Sequence, residues 1–188
     1  RVARFETALI DAGARPDSTA ALENVRATAQ GLVTHINGIG ADIQAEREQA
    51  DADIAVDVRL LNRTLKELES LNYQVARASV AGHDLSVAKD RQQQLVDQIS
   101  GIVPIREVQR DRDTIALFTT GGLTLLDSKA SEFSFTEAGL VTPYQTLANG
   151  SLSGLQINGR PVETGGSDSP IRGGSLFADF AVRDELAP

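Results

Sequence analysis

The sequence predicts an α+β fold: a long antiparallel coiled-coil-like helical bundle, then a small antiparallel β domain and a short C-terminal helix. Before about residue 112, Leu, Ile, Val and Ala recur at alternating three- and four-residue spacing, and no proline occurs between residues 17 and 103. After that point lie six of the eight aromatic residues and most of the glycines. Short alternating segments and turn dipeptides in this second region indicate strands and hairpins.

Composition excludes several classes of function. The 188-residue chain has no cysteine, which rules out disulfides, thiolate metal sites and cysteine nucleophiles. A net charge of −8 argues against binding to nucleic acid, and no apolar run reaches the roughly 18 residues of a membrane-spanning helix. The chain also has no methionine, not even at position 1, so we expect it to be an internal part of a longer protein.

Helical spacing begins at the first residues. The apolar positions Val2, Phe5, Leu9 and Ala12 predict a short amphipathic helix. The segment 13–16 contains glycine and proline and ends it. Asp17 or Ser18 can then provide the N-cap oxygen of a second helix.

The second helix is predicted over residues 18–81 and carries the seam of a coiled coil. The seam positions are Leu22, Val25, Ala29, Leu32, Ile36, Ile39 and Ile43, followed by Ala50, Ile54, Val58, Leu61, Leu65, Leu68, Asn72 and Val75. Arg47 occupies the seam between the two runs, where the spacing indicates a stutter. At ~1.5 Å per residue such a helix is roughly 95 Å long, so its apolar stripe needs an antiparallel partner or another chain.

A third helix is predicted over residues 85–102. The segment 81–84 favours a chain reversal, Asp84 or Ser86 can cap the helix, and Pro104 ends it. Its inward positions are Leu85, Ala88, Leu95, Ile99 and Ile102. Because this helix is shorter than the one before it, we expect part of the long seam to pair with a segment absent from this chain.

Two hairpins are predicted beyond the helices. Residues 114–120 and 123–126 flank Gly121-Gly122, and residues 155–157 and 160–163 flank Asn158-Gly159, which suits a type I′ turn. Residues 132–136 alternate as a further strand, and 165–169 form a loop. Residues 175–186 predict a closing helix with Leu176, Phe177, Phe180 and Leu186 inward. The predicted domains are therefore a helical rod (1–104), a β-rich region that is incomplete (105–172) and a short helix (173–188).

No arrangement of residues indicates an active site. His35 and His83 lie apart and form no metal-binding pair, and Asp111–Asp113 lacks the later ligands of a calcium loop. Acidic residues do cluster on the long helix, at Asp42, Glu46, Asp53 and Asp57. Arg47 with Asp51, and Arg63 with Glu67, stand at i, i+4 spacing, which is typical of a solvated helix face. We therefore predict no catalytic, cofactor-binding or metal-ligating residues, no cofactor and no enzymatic activity.

Several motifs resemble those of one family. They are Phe5-x-x-Ala-Leu9, Pro16-Asp-Ser-Thr-Ala-Ala21, Ala29-Gln-x-Leu32, Ile36-Asn37, the segment 60–72 with its Leu-Asn elements, Asp84-Leu85 with Lys89-Asp-Arg91, and the closing segment 173–186. In this order they resemble the bacterial flagellar hook-associated protein 1 family, the hook–filament junction proteins. The resemblance covers about residues 1–126 and 171–187. The Lys89-Asp-Arg91-Gln92 element departs from the family's usual Gln-Arg-Asp.

The resemblance implies a non-catalytic structural subunit at the hook–filament junction, exported through the flagellar type III apparatus without a cleaved signal peptide. Its implied location is extracellular, in the flagellum. Its implied partners are the hook protein, the second junction protein, further copies in the assembled ring, and an export chaperone that binds regions outside this chain. Neither nucleic acid nor membrane is implied. We expect the chain alone to be a monomer or a weak associate.

Two alternatives remain open from the sequence. A coiled-coil stalk with a β ligand-binding head, from a signalling or adhesin protein, predicts a stable parallel dimer. An enzyme is compatible only if its catalytic groups lie outside this chain.

Overall fold

The computed structural model describes residues 1–186 and confirms the predicted fold class. The helices are α1 (Val2–Ala14), α2 (Thr19–Val80), α3 (Ser86–Ile102) and α4 (Gly174–Glu185). The strands are β1 (Ile105–Gln109), β2 (Ile115–Thr119), β3 (Thr124–Asp127), β4 (Lys129–Ala130), β5 (Phe133–Ser134), β6 (Gln156–Ile157) and β7 (Arg160–Pro161). None of the described helices combines the length and apolarity needed to cross a membrane.

Contacts divide the chain into two compact units, Arg1–Ala45 and Glu46–Pro188. The predicted domain boundaries at residues 104 and 172 stay predictions. In the first unit, α2 begins after Ser18, whose hydroxyl accepts a hydrogen bond from the amide of Ala21 at 3.3 Å. This contact confirms one of the two predicted N-caps.

The buried face of α1 agrees with the predicted one only in part. Ala12, a predicted inward position, is buried together with Ala8, whereas Val2 and Leu9, also predicted as inward positions, are exposed. Asn24 and Thr28 of α2 line one cleft with Ala8. The side of α1 that carries Ala8 therefore faces α2, and spacing alone does not distinguish it from the side with larger residues.

The strands form two antiparallel sheets in the second unit, ordered β1-β2-β3-β4 and β5-β6-β7. Both predicted hairpins are confirmed, as β2 pairs with β3 and β6 with β7. Asn158 and Gly159 both have positive φ, 51° and 75°, as a type I′ turn requires. Strand β1 was not predicted from the sequence; it pairs with the whole of β2 in the register Ile105↔Thr119 to Gln109↔Ile115.

One hydrophobic core joins the helices of the second unit to both sheets. It combines the seam of α2 with residues of every neighbouring element: Ile54, Val58, Leu61, Leu65 and Leu68 from α2; Leu95, Val96, Ile99 and Ile102 from α3; and Leu117, Leu126, Phe133, Ile157, Leu176 and Phe180 from the sheets and α4. The predicted inward position of Leu186 is wrong, since this residue is 45% exposed just beyond the end of α4.

Candidate functional site

Polar side chains on α2 hydrogen-bond to the backbone of both sheets. The Asn62 amide donates to the carbonyl of Phe133 at 2.7 Å and accepts from its N–H at 2.8 Å. Asn72 makes the same pair of contacts with Ile115, at 2.8 and 3.2 Å. Between them, the Glu69 carboxylate accepts from the amide of Ala130 at 3.0 Å. The spacing places these side chains near one face of α2, so they fix its register against the strands.

Two sets of polar contacts also connect α2 to α3, one at Asn72 and the other at Asp113 of the β1–β2 turn. Gln92, buried on α3, donates from its side-chain amide to Asn72 at 2.9 Å. Near the end of α2, the carboxylate of Asp113 accepts from Ser79 at 2.8 Å and from Lys89 at 2.7 Å. Both hydrogen bonds lower the pKa of Asp113, and the one from Lys89 has the larger effect. The β1–β2 turn is thereby attached to both long helices.

We expect Asn62→Ala and Asn72→Ala each to lower the free energy of unfolding by about 1–3 kcal/mol, because each leaves an N–H and a carbonyl of the sheet without a partner. Urea denaturation followed by circular dichroism measures this change. Gln74→Ala removes an exposed amide from the same helix and is the matched control. An effect of either asparagine variant no larger than that of the control would contradict the structural role.

A second polar group forms around Arg183 of α4, whose side chain is fully buried. Its guanidinium donates to Asp51 at 3.1 Å and makes two bonds, of 2.8 and 3.0 Å, to the carboxylate of Asp184. It lies 4.9 Å from the ring centre of Phe180 and 5.4 Å from that of Phe135, within cation–π range of both. The charge is therefore balanced by carboxylates in its plane and covered by aromatic faces.

Arg47 of α2 completes this buried arginine cluster, which we define as Arg47, Asp51 and Arg183. Arg47 is fully buried and donates to the carbonyls of Arg183 at 2.7 Å, Gln145 at 2.9 Å and Thr142 at 3.3 Å. Asp51, equally buried, also accepts from the amide of Ala138 at 2.6 Å.

The predicted solvated face is therefore wrong for Arg47 and Asp51. The i, i+4 spacing of an arginine and an aspartate is the same whether the pair lies in water or in a core. What distinguishes them is the packing of residues distant in sequence, here α4 and the loop before β6. The second predicted pair, Arg63 and Glu67, is exposed as a solvated face requires, and Glu67 accepts a hydrogen bond from Arg91 of α3 at 3.0 Å. The position of Arg47 in the apolar seam was the available signal for its burial.

The contacts of the buried arginine cluster suit a structural role, in which they hold α2, α4 and the intervening loop in position. Among the described residues, no buried side-chain nitrogen or oxygen lacks a hydrogen-bond partner. Within the same range, no group of three or more His, Cys, Asp or Glu residues is arranged to hold a metal ion. The cluster joins α2, α4 and an intervening loop, and its buried polar atoms all have hydrogen-bond partners. The prediction of no catalytic, cofactor or metal residues remains a prediction.

The predicted acidic cluster of α2 is divided by the structure. Asp42 and Glu46 are exposed, whereas Asp53 and Asp57 lie towards α4, where Asp57 accepts a hydrogen bond from the Ser175 hydroxyl. Burial, and then the charges of Asp57 and Asp53, raise the pKa of Asp179 on α4 to about 6. Ionised Asp179 therefore opposes the packing of α4 on α2 near neutral pH.

We expect Asp179→Asn to stabilise the chain at pH 7.5 but not at pH 4.5. An aspartate in an unfolded chain has a pKa of about 3.9, so the folded state holds the Asp179 proton more tightly, and its contribution to stability is lost as pH rises through about 6. The gain should stay below about 1 kcal/mol, because the carboxyl is partly exposed and screened. Urea denaturation across this pH range tests it, with Asp90→Asn, an exposed aspartate on α3, as the control. An equal gain at both pH values would contradict the assignment.

Comparison with known protein families identifies the family of the chain. The family model described as the helical domain of the flagellar hook-associated protein FlgK matches residues 1–188. No curated protein matches the chain.

Proposed function

Because the chain belongs to the helical-domain family of the flagellar hook-associated protein FlgK, we propose that it acts as a non-catalytic structural adaptor at the junction between hook and filament. The family is one of flagellar structural proteins rather than enzymes. The observation that best supports the adaptor role is the set of polar contacts that fasten both sheets and α4 to α2.

An adaptor between two tubes has to transmit torque without changing shape. Apolar contacts alone are non-directional and allow helices to slide or rotate against their neighbours. Directional hydrogen bonds, such as those from Asn62 and Asn72, favour one register. The buried arginine cluster adds the same constraint between α2 and α4, at the other end of the core. These contacts support a rigid component.

The proposed partners follow from the adaptor role. They are the hook protein, the second junction protein and further copies of this chain in the assembled ring. We further propose export through the flagellar type III apparatus without a cleaved signal peptide, with a chaperone that binds outside the 188 residues. The flagellum itself is the location that family membership gives.

The stalk-and-head alternative has no structural support. A ligand-binding head would need a β core of its own, and in the described part of the chain Leu117, Phe133 and Ile157 of the sheets share one core with Leu61 and Leu65 of α2. We therefore propose only the adaptor function.

The test is genetic and uses the full-length protein in its host. Deleting the segment that encodes residues 1–188 should leave hooks intact, abolish swimming and release monomeric flagellin into the medium. Arg183→Ala should give the same phenotype in weaker form because it disrupts the buried arginine cluster, and Arg59→Ala, which removes an exposed arginine of α2, is the matched control. Normal swimming with attached filaments after the deletion would refute the junction role.

A further inference from the structure

The loop before β6 differs from the rest of the chain in its charge. Residues 138–159 contain no Asp, Glu, Lys or Arg, in a chain of which 23% is charged and whose net charge is −8. We call residues 138–152 the uncharged loop. Its two flanks lie close together, as the amide of Thr136 donates to the Ser153 hydroxyl at 3.2 Å. The geometry is that of a compact Ω-type loop.

Contacts on its buried side hold the uncharged loop in one conformation. Val141 and Leu152 are buried, and the carbonyls of Thr142 and Gln145 accept hydrogen bonds from the guanidinium of Arg47. Within the loop, the Gln145 side chain accepts from the amide of Thr142 at 2.7 Å. The side-chain amide of Asn149 donates to the carbonyl of Tyr144 at 2.8 Å. Little backbone entropy remains to be lost when a partner binds this loop.

The outer side of the uncharged loop displays apolar side chains. Tyr144 is 87% exposed, Leu140 63% and Leu147 40%. An exposed tyrosine costs little conformational entropy to bury and is enriched at the centres of protein interfaces, where charged residues are depleted. A preorganised, uncharged loop with a central tyrosine therefore has the properties of a protein-binding surface.

We propose that the uncharged loop is a contact through which one copy of this chain binds a neighbouring copy, with Tyr144 as its central residue. Each copy carries a charge of −8, so two copies repel one another unless they meet through uncharged surface. Residues 138–159 form the longest run of the sequence without a charged residue, and the uncharged loop that begins this run is exposed and held by internal hydrogen bonds. The inference rests on the proposed function, in which copies stand side by side in a ring.

Photo-crosslinking of the full-length protein in its host tests the contact. Two differently tagged copies are co-expressed, each with p-benzoylphenylalanine in place of Tyr144. We expect a crosslinked product that carries both tags. The matched control places the same group at Tyr73, the other tyrosine, which is 58% exposed on α2 and should give no such product. A product formed with a different protein, or a yield equal to that of the control, would overturn the proposal.

A second variant measures the contribution of the tyrosine itself. With the crosslinking group at Leu147, Tyr144→Ser should reduce the two-tag product about 10-fold, the loss typical of a central interface residue, whereas Tyr73→Ser should leave it unchanged. An undiminished yield would overturn the role of Tyr144. These results are distinguishable from failure of the junction role, because crosslinking reports contact between copies whether or not the deletion strain swims.

Discussion

Asp51→Ala is expected to lower the free energy of unfolding by about 3–5 kcal/mol, the usual cost of removing one partner from a buried ion pair. The substitution takes away an acceptor of the Arg183 guanidinium, which is fully buried and keeps only Asp184 as a charged partner. It also leaves the amide of Ala138 without its acceptor. The buried guanidinium and the amide of Ala138 thus each lose a hydrogen bond through one change.

Urea denaturation monitored by circular dichroism measures this loss, and Glu46→Ala, which removes an exposed carboxylate five residues earlier on α2, is the control. The double variant Asp51→Ala with Arg183→Met should be more stable than Asp51→Ala alone, because it no longer buries the arginine with incomplete charge compensation. If the two substitutions were additive, the proposed coupling between the two side chains would be wrong.

Gly174→Ala is expected to be the most damaging glycine substitution near α4, with a loss of about 3 kcal/mol from steric overlap and backbone strain together. A Cβ atom at this position would lie 2.4 Å from the carbonyl oxygen of Ile102 and 2.7 Å from its carbon. Gly174 also has φ +77°, a conformation that side chains disfavour. Because the obstacle is the backbone at the end of α3, no rotamer change can relieve the overlap.

Gly166→Ala separates the contribution of backbone strain from that of steric overlap. Gly166 has φ +75°, but a Cβ there would have nothing within 4 Å. Thermal and urea denaturation of this variant should therefore show only the strain of the left-handed backbone, about 1 kcal/mol. The difference between the two variants measures the close approach of α4 to α3. Equal losses would mean that the crossing can open to admit a methyl group.

Local patterns were sufficient to predict most of the fold. The three- and four-residue spacing from Ile54 to Val75 predicts a helix with one buried stripe, and the apolar seam positions of this segment are buried in the second unit. The dipeptide Asn158-Gly159 predicts a tight hairpin, because few residues adopt the positive φ angles that it needs. In both cases the residues that specify the local structure lie within a few positions of it in the sequence.

Local patterns did not predict strand β1 or the burial of Ala8 on α1. The segment 105–109 alternates poorly and carries exposed Arg106 and Glu107, so only its pairing with β2 makes it a strand. On α1, Ala8 is less hydrophobic than Leu9, so hydrophobic spacing does not single out Ala8 as the buried position.

The order of helices and hairpins, the long apolar seam and the family can all be read from periodicity and short motifs. Which polar residues enter the core depends instead on tertiary contacts. Arg47 and Asp51 have the spacing of a surface ion pair, and they are buried because α4 and the uncharged loop cover them. The roles of Asn62 and Asn72 were decided likewise by strands distant in sequence. A hydrogen bond of this kind depends on where two remote segments meet, which no local pattern encodes.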